Sequence, residues 1–186
     1  VEFIQSRENI GFGRSNNLGF AKCTGEAILL LNPDTELKPG SLQSLHQSLR
    51  DLPQAGIVAP RLLNSDGSVQ DSCVQALPTP WNQAVDFDLL RRWFPAWSVW
   101  GTSALNCADP TPVQAVSGAC ILILARLFRS LEGFCPEYFM YGEDMDLCWR
   151  VRSAGYLVYH VPEAQVVHHG GGSSHGQFSR ISAVMM

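Results

Sequence analysis

Apolar residues along the chain fall in short runs, separated by polar segments rich in glycine, proline and asparagine. The continuous run Ala27–Leu31 and the apolar residues within 114–123 predict strands that are buried on both faces of a sheet. Shorter apolar runs at 1–5, 57–59 and 156–161 predict further strands. The pattern therefore indicates a sheet whose central strands are covered on both sides.

Helical spacing appears between these strands. A helix is predicted after Ser41, a favourable N-cap, because the leucines at positions 42, 45 and 49 fall on one helical face. A second helix is predicted at 144–154, where apolar residues recur at helical spacing and Gly155 follows. The other predicted elements are a loop at 9–17, helices at 18–24 and 127–131, and a hairpin-type turn at Asp66-Gly67.

The alternation of strands and helices predicts an α/β fold, and the 186 residues are the length of a single domain. Residues 74–112 fit this alternation least and are interpreted as an irregular insertion within the domain 1–186. Two roles are open for the tryptophans of this segment: packing beneath a loop, or a platform on which a carbohydrate stacks. These tryptophans are Trp81, Trp93, Trp97 and Trp100.

Composition and charge restrict the classes of function. The net charge of −4 argues against a protein that binds nucleic acid by neutralising phosphates, but it allows a nucleotide ligand held by local groups or a metal ion. No apolar run approaches the roughly 20 residues that a membrane-spanning helix needs. The six cysteines form no Cys-x-x-Cys pair, so neither a zinc knuckle nor a redox dithiol is indicated. Their even number allows disulfides, but Cys120 and Cys148 lie in apolar or amphipathic runs, which favours reduced, buried thiols in a cytoplasmic protein.

Two acidic segments carry candidate chemistry. Asp34 follows the buried run Ala27–Leu31, so its carboxylate is expected at the carboxyl edge of the sheet, where it could hold a divalent cation bound to a diphosphate. The alternative for Asn32-Pro33-Asp34 is a simple turn. Glu143, Asp144 and Asp146 stand at the start of a predicted helix, where the helix dipole alone favours acids.

The dipole does not explain why aromatic residues lead into this acidic segment at positions 138, 139 and 141. A partly desolvated carboxylate is the alternative, because desolvation raises basicity and a general base needs it. His168-His169, followed by three glycines, is either a metal ligand at a strand end or a polar loop. The segment 11–19 is not a dinucleotide fingerprint, because Asn16 stands in place of the third glycine.

Taken together and in this order, the segments resemble the inverting glycosyltransferases of family 2, particularly the rhamnosyltransferase-like branch. The resemblance covers most of the chain, leaves 74–112 unexplained, and is most specific in the segment 138–150. The matching stretches are Asn9-Ile-Gly-Phe-Gly-Arg-Ser-Asn-Asn-Leu-Gly19, Leu30-Leu-Asn-Pro-Asp-Thr35, Gly118-Ala119, Tyr138-Phe-Met-Tyr-Gly-Glu-Asp-Met-Asp-Leu-Cys-Trp-Arg150, Gly155-Tyr156 and Pro162-Glu-Ala-Gln-Val-Val-His-His-Gly-Gly-Gly-Ser-Ser174.

The resemblance implies a GT-A fold with a mostly parallel central sheet flanked by helices, together with Mg²⁺ or Mn²⁺ as cofactor. It implies that Asp34 and His168 are metal ligands, with His169 as the less favoured register, and that Asp144 is the general base. Compared with the family, the chain is expected to be truncated and to lack the first strand–helix unit. The positions implied for donor or acceptor binding are Asn9, Gly11, Asn17, Asn32, Gly118 and Glu143.

The expected activity is metal-dependent, inverting transfer of a sugar, with rhamnose as the candidate. The donor would be a dTDP- or UDP-linked sugar, and the acceptor a glycan or lipid-linked glycan of cell-surface polysaccharide synthesis. No nucleic-acid partner is expected. The expected location is the cytoplasm, with peripheral association of the full-length protein at the inner face of the membrane. The alternative is a catalytically silent GT-A remnant that binds a carbohydrate or a protein.

Overall fold

The computed structural model describes residues 3–6, 8–77 and 102–170, and side chains at 102 and 103 are not described. Its strands are β1 (Ala27–Leu31), β2 (Thr35–Leu37), β3 (Ala55–Leu63), β4 (Val74–Gln75), β5 (Thr111–Val113), β6 (Ala115–Val116), β7 (Cys120–Leu124) and β8 (Leu157–His168). Its helices are α1 (Phe12–Phe20), α2 (Ser41–Asp51), α3 (Ala125–Ser130) and α4 (Glu143–Ser153), with 3₁₀ turns at Asp71–Cys73 and Thr102–Asn106.

The central sheet has the strand order β1-β7-β3-β8-β2, and β5 also pairs with β8. The predicted α/β class is confirmed, but among the described residues the pairing is mixed rather than mostly parallel. The long strands β3 and β8 are parallel, whereas β7 runs antiparallel to both β1 and β3. Apolar runs reveal that a strand is buried on both faces but not its direction. The sequence pattern therefore predicted the strands better than their orientation.

Helix α2 packs on β3 and β8 through Leu45 and Leu49, as the leucine spacing predicts, but Leu42 is exposed. Ser41 is buried in the first turn and is not the N-cap, since Gly40 occupies that position with a φ of 83°. The Ser41 hydroxyl donates to the Gln165 carbonyl at 2.8 Å and accepts from the Gln165 N–H at 3.0 Å. Ser41 thus satisfies backbone groups of β8 instead of its own helix.

The prediction of a loop at 9–17 and a helix at 18–24 is wrong, because α1 begins at Phe12 and ends at Phe20. Glycine and asparagine have poor helix propensity, but tertiary packing overrides that preference here. Phe12 packs edge-to-face against Phe134 with 5.6 Å between ring centroids, and Phe20 packs against Phe128 at 4.9 Å. The predicted strand at 1–5 is also not found, since residues 3–5 have no regular structure.

The predicted strand within 114–123 is divided by a turn at 117–119 into β6 and β7, and this turn contributes to the site described below. The predicted insertion 74–112 has regular ends, because β4 pairs with β6 and β5 pairs with β8. Its middle part, residues 78–101 with the four tryptophans, lies outside the described residues. Within the described ranges, no helix has the length and apolar character required to cross a bilayer.

No disulfide joins any of the six cysteines, all of which lie in the part of the chain that the structure describes. Cys73, Cys120 and Cys148 are buried, whereas the other three are half-buried. Burial raises the pKa of the Cys120 and Cys148 thiols to about 12. Both thiols are therefore protonated at neutral pH and pack as small apolar groups in the core.

Candidate functional site

The carboxylate of Asp34 and the imidazole of His168 face each other at one edge of the sheet. Asp34 lies in the turn between β1 and β2, and His168 is the last residue of β8. Because β2 pairs antiparallel with β8, Thr35 lies opposite His168, and Asp34 is therefore next to the strand end. His168 Nε2 is 3.4 Å from Asp34 Oδ1. The fold thus brings together the two residues that the sequence analysis interprets as metal ligands.

His169 lies on the other side of this strand end. Its ring is exposed, with Nδ1 at 2.8 Å from the Ser65 hydroxyl and Nε2 at 3.1 Å from a Glu36 carboxylate oxygen. Its backbone N–H donates to the Asp34 carbonyl at 2.9 Å, whereas its ring faces Ser65 and Glu36. The geometry therefore favours His168 over His169 as the partner of the Asp34 carboxylate.

Gln70 holds the other side of the His168 ring. Its Oε1 is 3.0 Å from His168 Nδ1, and its Nε2 donates to the His168 carbonyl at 2.7 Å. No sequence pattern identifies Gln70, because a single glutamine in a loop belongs to no motif or periodic run that would predict its contact with His168.

The donor atoms around Asp34 fit a divalent cation that is shared with a diphosphate. Among the described residues, no three or more His, Cys, Asp or Glu side chains are grouped closely enough to hold a metal by themselves. Asn32 adds an oxygen at the end of β1, and this buried Oδ1 has no hydrogen-bond partner. Mg²⁺ commonly takes only one or two carboxylates and fills its remaining positions with phosphate oxygens and water. The small protein ligand set therefore suits a cation that arrives with a nucleotide.

Asp144 lies in the first turn of α4, and both of its carboxylate oxygens accept backbone hydrogen bonds. Oδ2 accepts from the Gly118 N–H at 3.0 Å, and Oδ1 accepts from the Met145 N–H at 2.8 Å. Gly142, with a φ of 89°, precedes the helix and turns the chain into it. Each carboxylate oxygen still has a free lone pair. The group is thus held in one orientation and can accept a further proton or hydrogen bond.

Asp144 is connected to the Asp34 side of the site through the turn at 117–119. Gly118 binds Asp144, and the carbonyl of the next residue, Ala119, accepts from the Asn32 N–H at 2.9 Å. One backbone–backbone hydrogen bond, one hydrogen bond from a backbone N–H to the Asp144 carboxylate and one short turn therefore join the segment that carries Asp34 to the helix that carries Asp144. The predicted base and the predicted metal ligands lie on one continuous hydrogen-bonded framework.

Glu143 is buried beside Asp144, with 7% of its surface exposed. Its Oε2 has no hydrogen-bond partner. Burial raises the pKa of this carboxyl, and the neighbouring Asp144 charge raises it further, against the opposing effect of a hydrogen bond from its own backbone N–H. Unpaired, desolvated acids of this kind are concentrated at functional sites, although structural networks also produce them.

Gly11 and Asn9 form the turn that leads into α1 and lies against Phe139. Asn9 Oδ1 accepts from the Gly11 N–H at 3.1 Å. Gly11 has a φ of 85° and lies directly against the Phe139 carbonyl, which leaves no room for a β-carbon. The next N–H, of Phe12, donates to that same carbonyl at 3.1 Å. The start of α1 is thereby fixed to the segment that leads into α4.

Asn17 is not among the groups that meet at the carboxylates. Its Nδ2 donates to the Phe134 carbonyl and its Oδ1 accepts from the Phe134 N–H, both at 2.8 Å. Both ends of the amide are therefore used to dock α1 on residue 134. The structure gives Asn17 a role in positioning α1, and its predicted contact with donor or acceptor remains a prediction.

Four consecutive large side chains precede the helix of Asp144 and are exposed to solvent. This exposed strip consists of Tyr138, Phe139, Met140 and Tyr141. Tyr141 is the most exposed, at 75%, and its φ of 69° lies in the left-handed region. A non-glycine residue in that conformation stores strain, which often accompanies a binding or catalytic role.

The solved structures identify the class of this fold. The structure of GalNAc-T7 with UDP, GalNAc and Mn²⁺ matches 90% of this chain and 32% of its own length, with a TM-score of 0.63 and 14% sequence identity. The chain therefore has the α/β fold of the GT-A glycosyltransferases, as the sequence resemblance implied.

Sequence comparison identifies the family. Residues 1–131 match the glycosyl transferase family 2, and the chain belongs to this family. It is 32% identical over 183 residues to the N-acetylglucosaminyl-diphospho-decaprenol L-rhamnosyltransferase of Mycobacterium tuberculosis, covering 91% of this chain and 59% of that protein. It is 27% identical over 179 residues to the rhamnosyltransferase WbbL of Escherichia coli, covering 91% and 65% respectively.

A third relative is the low-salt glycan biosynthesis hexosyltransferase Agl10 of Haloferax volcanii, with 25% identity over 174 residues, 90% of this chain and 52% of that protein. The chain thus spans between half and two thirds of the length of these relatives. The resemblance to rhamnosyltransferase-like members of the family, inferred from the motifs, is confirmed.

Proposed function

We propose that the protein transfers a sugar from a nucleoside-diphosphate donor to a glycan or lipid-linked acceptor, with inversion at the anomeric carbon and with the aid of Mg²⁺ or Mn²⁺. The observation that carries this proposal is the approach of Asp34 Oδ1 and His168 Nε2 to 3.4 Å at the sheet edge. Ligands of open α/β sheets bind at such edges, where strands end.

Asp144 is the proposed general base. During the transfer, the acceptor hydroxyl oxygen bonds to the anomeric carbon as the bond from that carbon to the diphosphate oxygen breaks. The hydroxyl proton passes to Asp144, and the diphosphate leaves with the bonding electrons. The hydrogen bonds from Gly118 and Met145 support this role because they fix the direction of the carboxylate while leaving lone pairs free.

Asp34 and His168 are the proposed metal ligands, and the unpartnered Asn32 Oδ1 is a further donor atom available to the cation or to the nucleotide-sugar. A bound divalent cation stabilises the negative charge that develops on the departing diphosphate. Gly118, Gly11 and Asn9 lie in the segments that border Asp144, which supports a role for them in holding donor or acceptor.

The acceptor is proposed to lie over the exposed strip of residues 138–141. Aromatic faces offer apolar area to a sugar ring, and the strip ends next to the helix that carries Asp144. The names of the relatives support rhamnose as the transferred sugar and an N-acetylglucosaminyl-diphospholipid as the acceptor. Either a dTDP- or a UDP-linked donor fits the proposal. The proposed location of the reaction is the cytoplasm, with the full-length protein associated peripherally with the inner face of the membrane.

Titration calorimetry with UDP and with dTDP, each with and without Mn²⁺, tests the donor site. The chain is compared with Asp34→Ala and with the matched control Asp51→Ala, which removes an exposed carboxylate at the end of α2. We expect Mn²⁺-dependent nucleotide binding by the chain and by Asp51→Ala, and loss of binding in Asp34→Ala. Equal binding by all three proteins, or binding that is independent of Mn²⁺, would contradict the proposed metal site.

A transfer assay tests the reaction itself. The chain is incubated with dTDP-rhamnose or UDP-sugars and a synthetic N-acetylglucosaminyl-diphospholipid, and the product is identified by mass spectrometry. The anomeric configuration of the product, read by NMR, distinguishes inversion from retention. A product that retains the donor configuration would rule out the single displacement with Asp144 as base.

A further inference from the structure

The contacts of Gln70 determine which nitrogen of His168 faces Asp34. The Gln70 Nε2 donates to the His168 carbonyl, so its Oε1 is the atom that meets His168 Nδ1 at 3.0 Å. An amide oxygen only accepts hydrogen bonds, and Nδ1 must therefore carry the hydrogen. In the neutral imidazole the lone pair is then on Nε2, the nitrogen that is 3.4 Å from Asp34 Oδ1.

His168 Nε2 and Asp34 Oδ1 are therefore two electron-pair donors that face each other. When the ring is neutral, Nε2 and a carboxylate oxygen have no hydrogen to share, and both lone pairs would be available to hold a divalent cation. Metal-binding histidines commonly donate their other ring N–H to an oxygen, which fixes the ring and its tautomer. Gln70 provides such an oxygen from a part of the chain that contains neither ligand.

The backbone of Gln70 is itself anchored. Its N–H donates to the Leu62 carbonyl of β3 at 2.9 Å, and its carbonyl accepts from the Cys73 N–H at 3.2 Å. The preceding residue, Val69, forms a bridge with Leu63, which lies beside Val167 in the parallel pair β3–β8. The side chain therefore starts from a fixed point next to the end of β8.

We propose that Gln70 is a positioning residue that holds the His168 ring in the Nδ1–H tautomer, with Nε2 directed at Asp34 for metal binding. This inference rests on the proposed function, because it requires the metal site of Asp34 and His168. The effect of Gln70 on the reaction acts through His168.

The test uses Gln70→Met, which keeps the length of the side chain but removes both hydrogen bonds to His168. Gln75→Met is the matched control, because Gln75 also donates to a backbone carbonyl, that of Ser72 at 3.2 Å, without touching His168. ¹⁵N NMR of the histidine ring in the metal-free chain reports the tautomer, and Mn²⁺ binding in the presence of UDP or dTDP reports the affinity. Gln70→Glu retains an acceptor for Nδ1–H.

We expect the Nδ1–H tautomer in the chain, in Gln75→Met and in Gln70→Glu, and a mixture of tautomers in Gln70→Met. Mn²⁺ affinity should fall by about 10–100-fold in Gln70→Met, the usual cost of removing a partner of a metal-bound histidine. An unchanged tautomer or an unchanged affinity in Gln70→Met would overturn the proposal while the metal site stands. Failure of the unmodified chain to bind Mn²⁺ would overturn both the role of Gln70 and the proposed metal site. The measurement on the unmodified chain therefore distinguishes this result from an effect of Gln70 alone.

Discussion

The Gly118 N–H donates to Asp144 Oδ2 at 3.0 Å, which ties the turn before β7 to the first turn of α4. The two residues are also in close contact, because a β-carbon added to Gly118 would lie 3.4 Å from the Asp144 β-carbon. The carboxylate is thus supported by backbone rather than by other side chains. The position of the carboxylate therefore depends on the fold of both the turn before β7 and the first turn of α4.

Asp144→Asn should reduce turnover by about 10²–10⁴-fold, the contribution expected of a general base, while donor binding changes little. Stability should fall by about 1–2 kcal/mol, because the amide NH₂ faces one of the two backbone N–H groups that the carboxylate accepts. Steady-state kinetics, nucleotide titration and urea unfolding measure the three quantities. Asp109→Asn is the control, since Asp109 is exposed. Wild-type turnover in Asp144→Asn would remove Asp144 from the mechanism.

Tyr141→Gly should weaken acceptor binding without lowering the stability of the fold. Glycine tolerates the φ of 69° at this position, so the substitution relieves strain of about 1–2 kcal/mol, offset by about 0.5–1 kcal/mol of additional chain entropy in the unfolded state. We expect unfolding in urea to be unchanged or slightly harder, and the KM for acceptor to rise several-fold.

The control for this prediction is Trp149→Ala, which removes an exposed aromatic side chain from α4 outside the strip 138–141. Its acceptor KM should equal that of the unmodified chain. If Tyr141→Gly left the acceptor KM unchanged as well, the strip would have no part in acceptor binding.

Gly11→Ala should be more damaging than Gly67→Ala, although both glycines have nearly the same φ, 85° and 86°. At Gly67 nothing lies within 4 Å of an added β-carbon, so only backbone strain of about 1–2 kcal/mol is expected. At Gly11 the added carbon also overlaps the Phe139 carbonyl. Urea unfolding should show a clearly larger loss for Gly11→Ala, together with weaker acceptor binding. Equal losses of unfolding free energy in the two variants would mean that the Phe139 carbonyl moves away from the added carbon without an energetic penalty.

Acid should destabilise the protein through His160. This residue of β8 is 0% exposed, neither of its ring nitrogens has a hydrogen-bond partner, and burial, aided by the nearby Arg61 charge, lowers its pKa from 6.5 to about 4. Between these values the unfolded chain binds a proton that the folded chain does not. Stability from this group is therefore complete above pH 6.5 and declines toward pH 4, by roughly 3 kcal/mol in total.

Urea unfolding of the chain and of His160→Leu at several pH values between 7.5 and 4.5 measures this effect. His160→Leu should show a flatter dependence of unfolding free energy on pH, since leucine does not titrate. It should also be stable at neutral pH, because it removes two unsatisfied ring nitrogens from the core. His46→Leu, at an exposed position on α2, is the control. Identical pH dependence in all three proteins would contradict the assignment to His160.

The sequence predicted those parts of the fold that depend on local apolar pattern. Ala27–Leu31 is a strand and 144–154 agrees with α4 within one residue at each end, because burial on one or two faces leaves a clear period. The segment 9–17 was predicted as a loop, since its glycines and asparagines are poor helix formers. Contacts with residues far along the chain decide its conformation, and no local window contains them.

The residues of the candidate site also differ in whether the sequence predicts them. Asp34, Asp144 and His168 could be predicted as candidates, because motifs place them at element ends, but their spatial relation required the pairing of β2 with β8. Gln70 could not be predicted. Its importance comes from two hydrogen bonds to one distant residue, and a single glutamine leaves no periodic or compositional trace of such contacts.

The paired hydrogen bonds between Asn17 and residue 134 reproduce, with a side chain, the two-bond ring that neighbouring strands form in an antiparallel ladder. Among side chains, only a primary amide supplies both a donor and an acceptor in this planar form, and aspartate would place a second acceptor against a carbonyl. Asn17 therefore serves the packing of α1, whereas Asp144 is the residue proposed for the chemistry. A substitution at Asn17 is therefore expected to loosen α1 from the residues before α4, even in a protein that retains Asp144 unchanged.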